Sequence, residues 1–304
     1  MHRLRLGLEW FLNPDHVPFL VAKELGLFAD LGLDIELIEP EEHLDAIDEI
    51  QAGTMDLAIT EPLHLVEDRA AGKPVLGFAR FLHTNGGVMY FKDSGIERPR
   101  DMAGRRIQYP GAPGRGGPAI VKTMIDADGG TCDTDSFGRV NNGFYHTDAL
   151  IEGKADVATL VFYNFEVLEA RSKGHDAHFF ALKDWGVPDF CQLILITSDE
   201  LYHEKKEIFG RLLQGISRGV DFLHQQPARA REIYFRRANA KDQELPAEIF
   251  AATVPCFTFD MTMAPEYYED LSSWLLHHQL IDAPVSPESC WTNELVRPSS
   301  PREH

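Results

Sequence analysis

Apolar positions along this chain recur with two periods, and the two alternate. RLGLEW (5–10) and RRIQYP (105–110) read as short strands. Each is followed by a Pro/Gly loop and then a helical stretch, HVPFLVAKELGLF in the first case and GGPAIVKTMIDAD in the second. Pro18 and Pro118 fall near the starts of those helices, where a missing N–H costs nothing. VLGFARFLH and GGVMYFKDSG read as strands that leave one half of the chain and enter the next. FCQLILITSDEL, from Phe190, reads as a buried strand that returns. From Glu200 to about Leu280 the period is helical, and Phe209, Leu212, Leu213, Ile216 and Val220 mark one apolar face. The closing VRPSSPREH is polar and proline-rich, and a disordered tail is expected there.

The pattern also repeats. QAGTMDLAIT (51–60) and IEGKADVATL (151–160) share Gly53 with Gly153, Asp56 with Asp156 and Ala58 with Ala158. In each copy a helix ends at a glycine, an aspartate turns the chain, and a short apolar strand follows. Carried upstream at the same offset, each half reads strand, helix, strand, helix, strand. The expected fold is α/β with two lobes, parallel or mixed sheets and an interlobe ligand cleft. Lobe one is expected from 1–90 plus 192–304, with the C-terminal helices, and lobe two from 91–191. Open parallel sheets bind ligands beyond the carboxyl ends of their strands, so four loops matter: those after RLGLEW, DLAIT, RRIQY and ADVATL.

Charge narrows the ligand. A net charge of −19 argues against nucleic acid, whose phosphates need lysine and arginine. No apolar run is long enough for a membrane segment. MHRLRLGLEW lacks a signal core, so a cytoplasmic location is expected as written, and a periplasmic one if a leader was removed. Cys132, Cys191, Cys256 and Cys290 are widely spaced without CxxC, which suggests reduced thiols and no metal site.

The first loop carries Glu9, Trp10, Asn13 and His16, where an indole can stack on a flat ring while polar neighbours read its edge. The second carries Glu61 and His64. Glu61 is either a reader of an amino group and ring nitrogen or a helper at a helix start. His64 taken alone fits a structural histidine. The third, from Gly111 through Gly114 to Arg115, places backbone N–H groups and a cation where an anion would sit. It is neither a Walker loop nor GxGxxG. The fourth offers Tyr163, Asn164 and Glu166 as an opposite wall.

These residues resemble a family. WFLNPDHVPFLVAKELGLFADLGLDIEL resembles the opening of the thiamin-pyrimidine proteins. KDSGIERPRDMAGRRIQYPG resembles the start of their second lobe, and YNFE a later loop. The likeness spans residues 4 to 225 and implies the type II periplasmic-binding-protein fold. The family includes bacterial formylaminopyrimidine-binding proteins, which imply an ABC transporter partner. It also includes fungal hydroxymethylpyrimidine phosphate synthases, which consume their own histidine and a bound pyridoxal phosphate with iron and oxygen. By that resemblance His64 falls at the sacrificial histidine, Trp10 at the stacking aromatic, and the Gly111–Gly114 turn at the phosphate. Thr60 stands where the Schiff-base lysine is expected, and only Cys191 lies near the synthases' cysteine-rich motif. The main expectation is therefore a binder of a small planar nitrogen heterocycle, a thiamin pyrimidine precursor. The alternatives are a single-turnover synthase acting through His64, and a nitrate- or sulfonate-type anion binder, which Glu9, Glu61 and Glu166 would oppose.

Overall fold

A computed structural model describes residues 1–40, 45–110, 112–238 and 244–296. The expected disordered tail beyond Val296 lies outside the described residues, as does Gly111. The chain forms two compact units. Unit 1 comprises Met1–His83, Gln192–Ser272 and the chain from Ile281 onward; unit 2 comprises Thr84–Cys191 and Ser273–Leu280.

Unit 1 begins with β1 (His2–Gly7), α1 (Val17–Glu24), β2 (Leu33–Ile38), α2 (Ala46–Gln51), β3 (Leu57–Thr60), α3 (Pro62–Ala70) and β4 (Val75–His83). Unit 2 holds β5 (Gly86–Phe91), β6 (Arg106–Gln108), α4 (Gly116–Ala127), β7 (Gly138–Val140), α5 (His146–Ile151), β8 (Val157–Phe162), α6 (Glu166–Ser172) and β9 (Ala177–Ala181). The chain then continues through β10 (Gln192–Ser198), α7 (Asp199–Gln225), α8 (Pro227–Arg237), α9 (Glu244–Thr253), α10 (Pro265–His277) and α11 (Pro287–Cys290).

Each unit is built on a five-stranded mixed sheet of the same plan. The orders are β2-β1-β3-β10-β4 and β7-β6-β8-β5-β9. In each, the first three strands are parallel, and the fourth runs antiparallel to both its neighbours. The fold class expected from the repeat is therefore present twice. The offset of one hundred holds for the glycine and aspartate but slips by one upstream. Gly7 pairs with Ala58 whereas Gln108 pairs with Ala158, so Arg5 corresponds to Arg106 and not to Arg105.

The duplicated turn has a physical basis. Gly53 and Gly153 sit at φ +73° and +65°, left-handed values that a side chain resists. Their carbonyls accept hydrogen bonds from Arg5 and Arg106, each at 2.6 Å. Asp56 and Asp156 then bind the backbone N–H of the same two arginines at 2.8 and 2.9 Å.

In α7 the expected apolar face is buried at every named position. Burying such side chains contributes roughly 1.5–3 kcal/mol apiece. Two glycines let neighbours in closely. A Cβ on Gly219 would lie 2.3 Å from the Pro18 carbonyl oxygen in α1, and one on Gly215 would lie 2.4 Å from the Phe28 ring. The four cysteines are not joined in disulfides, and Cys191 and Cys290 are buried. Among the described residues no helix is long and apolar enough to cross a membrane.

Candidate functional site

Because β1 and β3 are adjacent and parallel, the segments that follow them leave the same edge of the unit 1 sheet. That edge carries Glu9, Trp10, Asn13, His16, Glu61 and His64. Asn13 is extended and caps the short turn Pro14–His16, its side chain accepting the Asp15 N–H at 2.8 Å. The Asn13 N–H donates to His16 Nδ1 at 3.2 Å, which leaves Nε2 as the nitrogen carrying the proton. That Nε2 lies 3.1 and 3.0 Å from the two oxygens of Glu9. His16 is wholly buried, so it orients Glu9 from behind. Burial opposes a charge on this imidazole, but Glu9 outweighs it, with Asp15 and Glu39 adding, and the pKa of His16 stands above its ordinary value. A second proton would nevertheless have to displace the Asn13 N–H.

Trp10 is half-buried and packs on Phe11, with ring centroids 4.3 Å apart and planes tilted by 51°. Glu61 is the N-cap of α3 by its backbone, yet its side chain makes no capping bond. Burial pushes its carboxyl up to about 8, and the nearby Glu9 and Glu67 carboxylates push in the same direction. Glu67, further along α3, is itself raised to about 7 by burial and by Asp68. His64 Nδ1 lies 3.3 Å from Thr60 Oγ1. Glu67 was not singled out from sequence, although it lies three residues beyond His64, a spacing that makes the two neighbours on the surface of α3.

In unit 2, β6 and β8 are likewise adjacent and parallel. After β6 the chain turns through Gly114 and Arg115 into α4. The Tyr109 hydroxyl donates to the Gly114 carbonyl, and Gly117 lies so close to the Tyr109 ring that a Cβ would approach within 2.5 Å. Arg115 is exposed and donates to Gln279 Oε1 at 3.2 Å. Gln279 has a left-handed φ of +57° just past α10 and was not anticipated from sequence. Tyr163 is 39% exposed, with the Arg171 guanidinium 6.0 Å from its ring centre. Asn164 and Glu166 are buried: Asn164 Oδ1 accepts from the Thr84 hydroxyl at 2.6 Å, and Glu166 Oε2 accepts the Phe162 N–H at 2.9 Å. Both side chains hold the loop after β8.

A cavity of about 470 Å³ lies at the opposite edge of the unit 1 sheet, lined in part by Arg5, Asp56, Ser198 and Lys205. Three of its charged groups are engaged with one another, since Asp56 binds both Arg5 and Lys205.

The paired mixed sheets define a periplasmic-binding-protein fold. A structural neighbour is the alkanesulfonate-binding protein SsuA of Xanthomonas axonopodis pv. citri, with a TM-score of 0.73 at 13% identity, over 95% of this chain and 98% of that one. At that identity the likeness speaks for the fold alone. A profile of the family described as NMT1/THI5 like matches residues 13–230, and the chain belongs to that family. Among its curated relatives is the formylaminopyrimidine-binding protein of Halalkalibacterium halodurans, 25% identical over 96% of this chain and 90% of the relative. Another is the 4-amino-5-hydroxymethyl-2-methylpyrimidine phosphate synthase of Legionella pneumophila, 26% identical over 98% and 93%.

The pyridoxal phosphate and iron that the resemblance implies for a synthase find little to hold them on these residues. A Schiff base with pyridoxal phosphate needs a lysine, and residues 8–16 and 60–64 contain none. Among the described residues, no group of three or more His, Cys, Asp or Glu side chains is arranged to hold a metal ion.

Proposed function

We propose that the protein binds a small planar nitrogen heterocycle, a thiamin pyrimidine precursor, through the carboxyl edge of the unit 1 sheet. The observation that carries this reading is that Glu9, the half-buried Trp10 and Glu61, which feels the Glu9 charge, leave the same edge of the unit 1 sheet. An indole stacks on a flat ring, and carboxyl groups pair with its amine and ring nitrogen. Carboxylate oxygens at this edge would repel a sulfonate or nitrate, so the alkanesulfonate for which the structural neighbour is named does not suit it. Relatives named for formylaminopyrimidine and hydroxymethylpyrimidine phosphate support the heterocycle. Under this reading an ABC transporter is the natural partner.

Thermal shift with formylaminopyrimidine, hydroxymethylpyrimidine and pyridoxal phosphate tests it. Ligand at one hundred times Kd adds about 2.7 kcal/mol of stability. An unchanged melting temperature with all three would rule the reading out.

A second reading, a single-turnover synthase that consumes His64, draws on the position of His64 in the first turn of α3 beside Glu61. Mass spectrometry after incubation with pyridoxal phosphate, ferrous iron and oxygen should then find the His64 peptide altered; an intact peptide excludes it.

A further inference from the structure

We propose that Glu9 and Glu61 work as an unequal pair, Glu9 accepting and Glu61 donating, which reads an amine and the adjacent ring nitrogen of a ligand that binds in its neutral form. The inference rests on the heterocycle reading above and specifies the ligand edge that the site recognises.

The inequality comes from what stands behind each carboxyl. Both oxygens of Glu9 face the Nε2–H of His16, and the direction of that bond is fixed because Nδ1 is occupied by the Asn13 N–H. Glu9 is therefore held as an acceptor by a buried donor that cannot turn away. Glu61 has no comparable support. It lies on the neighbouring strand's exit, makes no capping bond with its side chain, and feels Glu9 on one side and Glu67 on the other. The remaining groups close by are His64 on the same helix, and Asp15 and Glu39 around His16. Burial first, and the charges of Glu9 and Glu67 after it, disfavour ionising Glu61, so the proton stays on Glu61, which has no donor behind it. The positive end of α3 favours charge on Glu61, a contribution of a few tenths to about 1 kcal/mol that burial and two carboxylates override.

Such a pair offers one O–H donor beside carboxylate acceptors. Its complement is an N=C–NH₂ edge, in which a ring nitrogen accepts the Glu61 proton and the amine donates to the carboxylates. No proton is released to solvent when the neutral ligand binds the protonated pair. Whether the proton then rests on the carboxyl or on the ring nitrogen, the complex holds the same number of protons. A ligand lacking the ring nitrogen leaves the Glu61 O–H unmatched, and a site built to bond a polar group rejects an analogue that lacks it.

Isothermal titration of the full chain with hydroxymethylpyrimidine between pH 6.5 and 9.5 tests the pair. Affinity should be level at the acid end and fall about tenfold per pH unit above about 8, where Glu61 ionises. Comparing phosphate with Tris buffer should reveal no proton exchange at pH 6.5 and uptake approaching one proton at pH 9. Glu61→Gln keeps an N–H donor at every pH, so at pH 9.5 it should bind at least tenfold more tightly than the parent chain. The analogue with C–H in place of the ring nitrogen should bind the parent at least tenfold more weakly. Binding that is unaffected by pH, or a Glu61→Gln variant no tighter than the parent at pH 9.5, overturns the pair while leaving the heterocycle reading in place. Absence of heat with the parent at every pH removes both.

Discussion

Arg106 donates its backbone N–H and its guanidinium to Asp156, and its own carbonyl accepts the Asp156 N–H at 2.9 Å. Arg5 and Asp56 make the same contacts in unit 1, with the returning bond again at 2.9 Å. The clamp joins one strand to the turn before its parallel neighbour, and so sets the register between them. The two copies differ in one respect: Asp56 also receives Lys205, at 2.7 Å, and is the more buried.

Removing the clamp should therefore cost more in unit 1. Asp56→Ala strands two cations where a buried carboxylate stood, and a loss of about 2–4 kcal/mol is expected; Asp156→Ala should cost about 1 kcal/mol. Denaturant midpoints of the two variants check the order. Burial works against the charge on Asp56, but Arg5 and Lys205 outweigh it and hold its carboxyl below the usual range; Arg106 does the same for Asp156. Each aspartate contributes stability that is present above the unfolded-state value of about 4 and disappears as pH falls through the lower folded value. Asp56→Asn should thus flatten the acid limb of the stability profile.

Glu61 predicts the opposite limb. Burial raises its folded pKa to about 8, so its contribution is complete below the unfolded value of about 4.3 and is lost as pH climbs toward 8. Glu61→Gln should match the parent near pH 4 and be more stable by roughly 1–2 kcal/mol at pH 9, after allowance for the partial exposure of the side chain. Parallel melts at the two pH values decide it.

Trp10 tests the stacking half of the site. It is half-buried, so Trp10→Ala should lower heterocycle affinity about 10- to 100-fold, equivalent to about 1.4–2.8 kcal/mol, while moving the melting temperature little. Titration and melting run on the same preparation separate the two effects. A large drop in melting temperature would make Trp10 a core residue.

Two glycines of α7 should respond in opposite directions. Gly219→Ala drives a methyl against the Pro18 carbonyl and should cost more than about 2 kcal/mol. At Gly210 the nearest atom to an added Cβ is a Leu295 methyl at 3.7 Å, an ordinary contact, so Gly210→Ala should gain about 0.5–1 kcal/mol of helix propensity. Circular dichroism melts of both variants give the comparison.

Much of this architecture is written locally. Gly53 and Gly153 mark left-handed turns because few other residues tolerate them, and Asp56 and Asp156 follow at fixed spacing because they grip the strand beside the turn. The slip that aligned Arg5 with Arg105 has a local cause as well. β6 is only three residues long and begins on the second of two consecutive arginines, so alternation cannot choose between Arg105 and Arg106. What stayed hidden is non-local. Nothing in QLILITS announces that β10 lies antiparallel between β3 and β4, since that pairing joins residues more than a hundred positions apart. The site divides in the same way. Loop positions such as Trp10 and Glu61 follow from strand ends. The inward bonds of Asn164 and Glu166, and the imidazole behind Glu9, depend on side-chain directions that spacing does not fix.

The place of β10 has a consequence for how the chain is made. Among the described residues β4 meets the rest of its sheet only through β10, which leaves the ribosome more than a hundred residues later. During vectorial synthesis the first eighty-three residues must wait with an unpaired edge on β3, while most of unit 2 emerges and can pair its own β5, β8 and β9. The segment encoded first is therefore completed late, and a nascent chain halted before residue 192 holds an incomplete amino-terminal sheet open to chaperones.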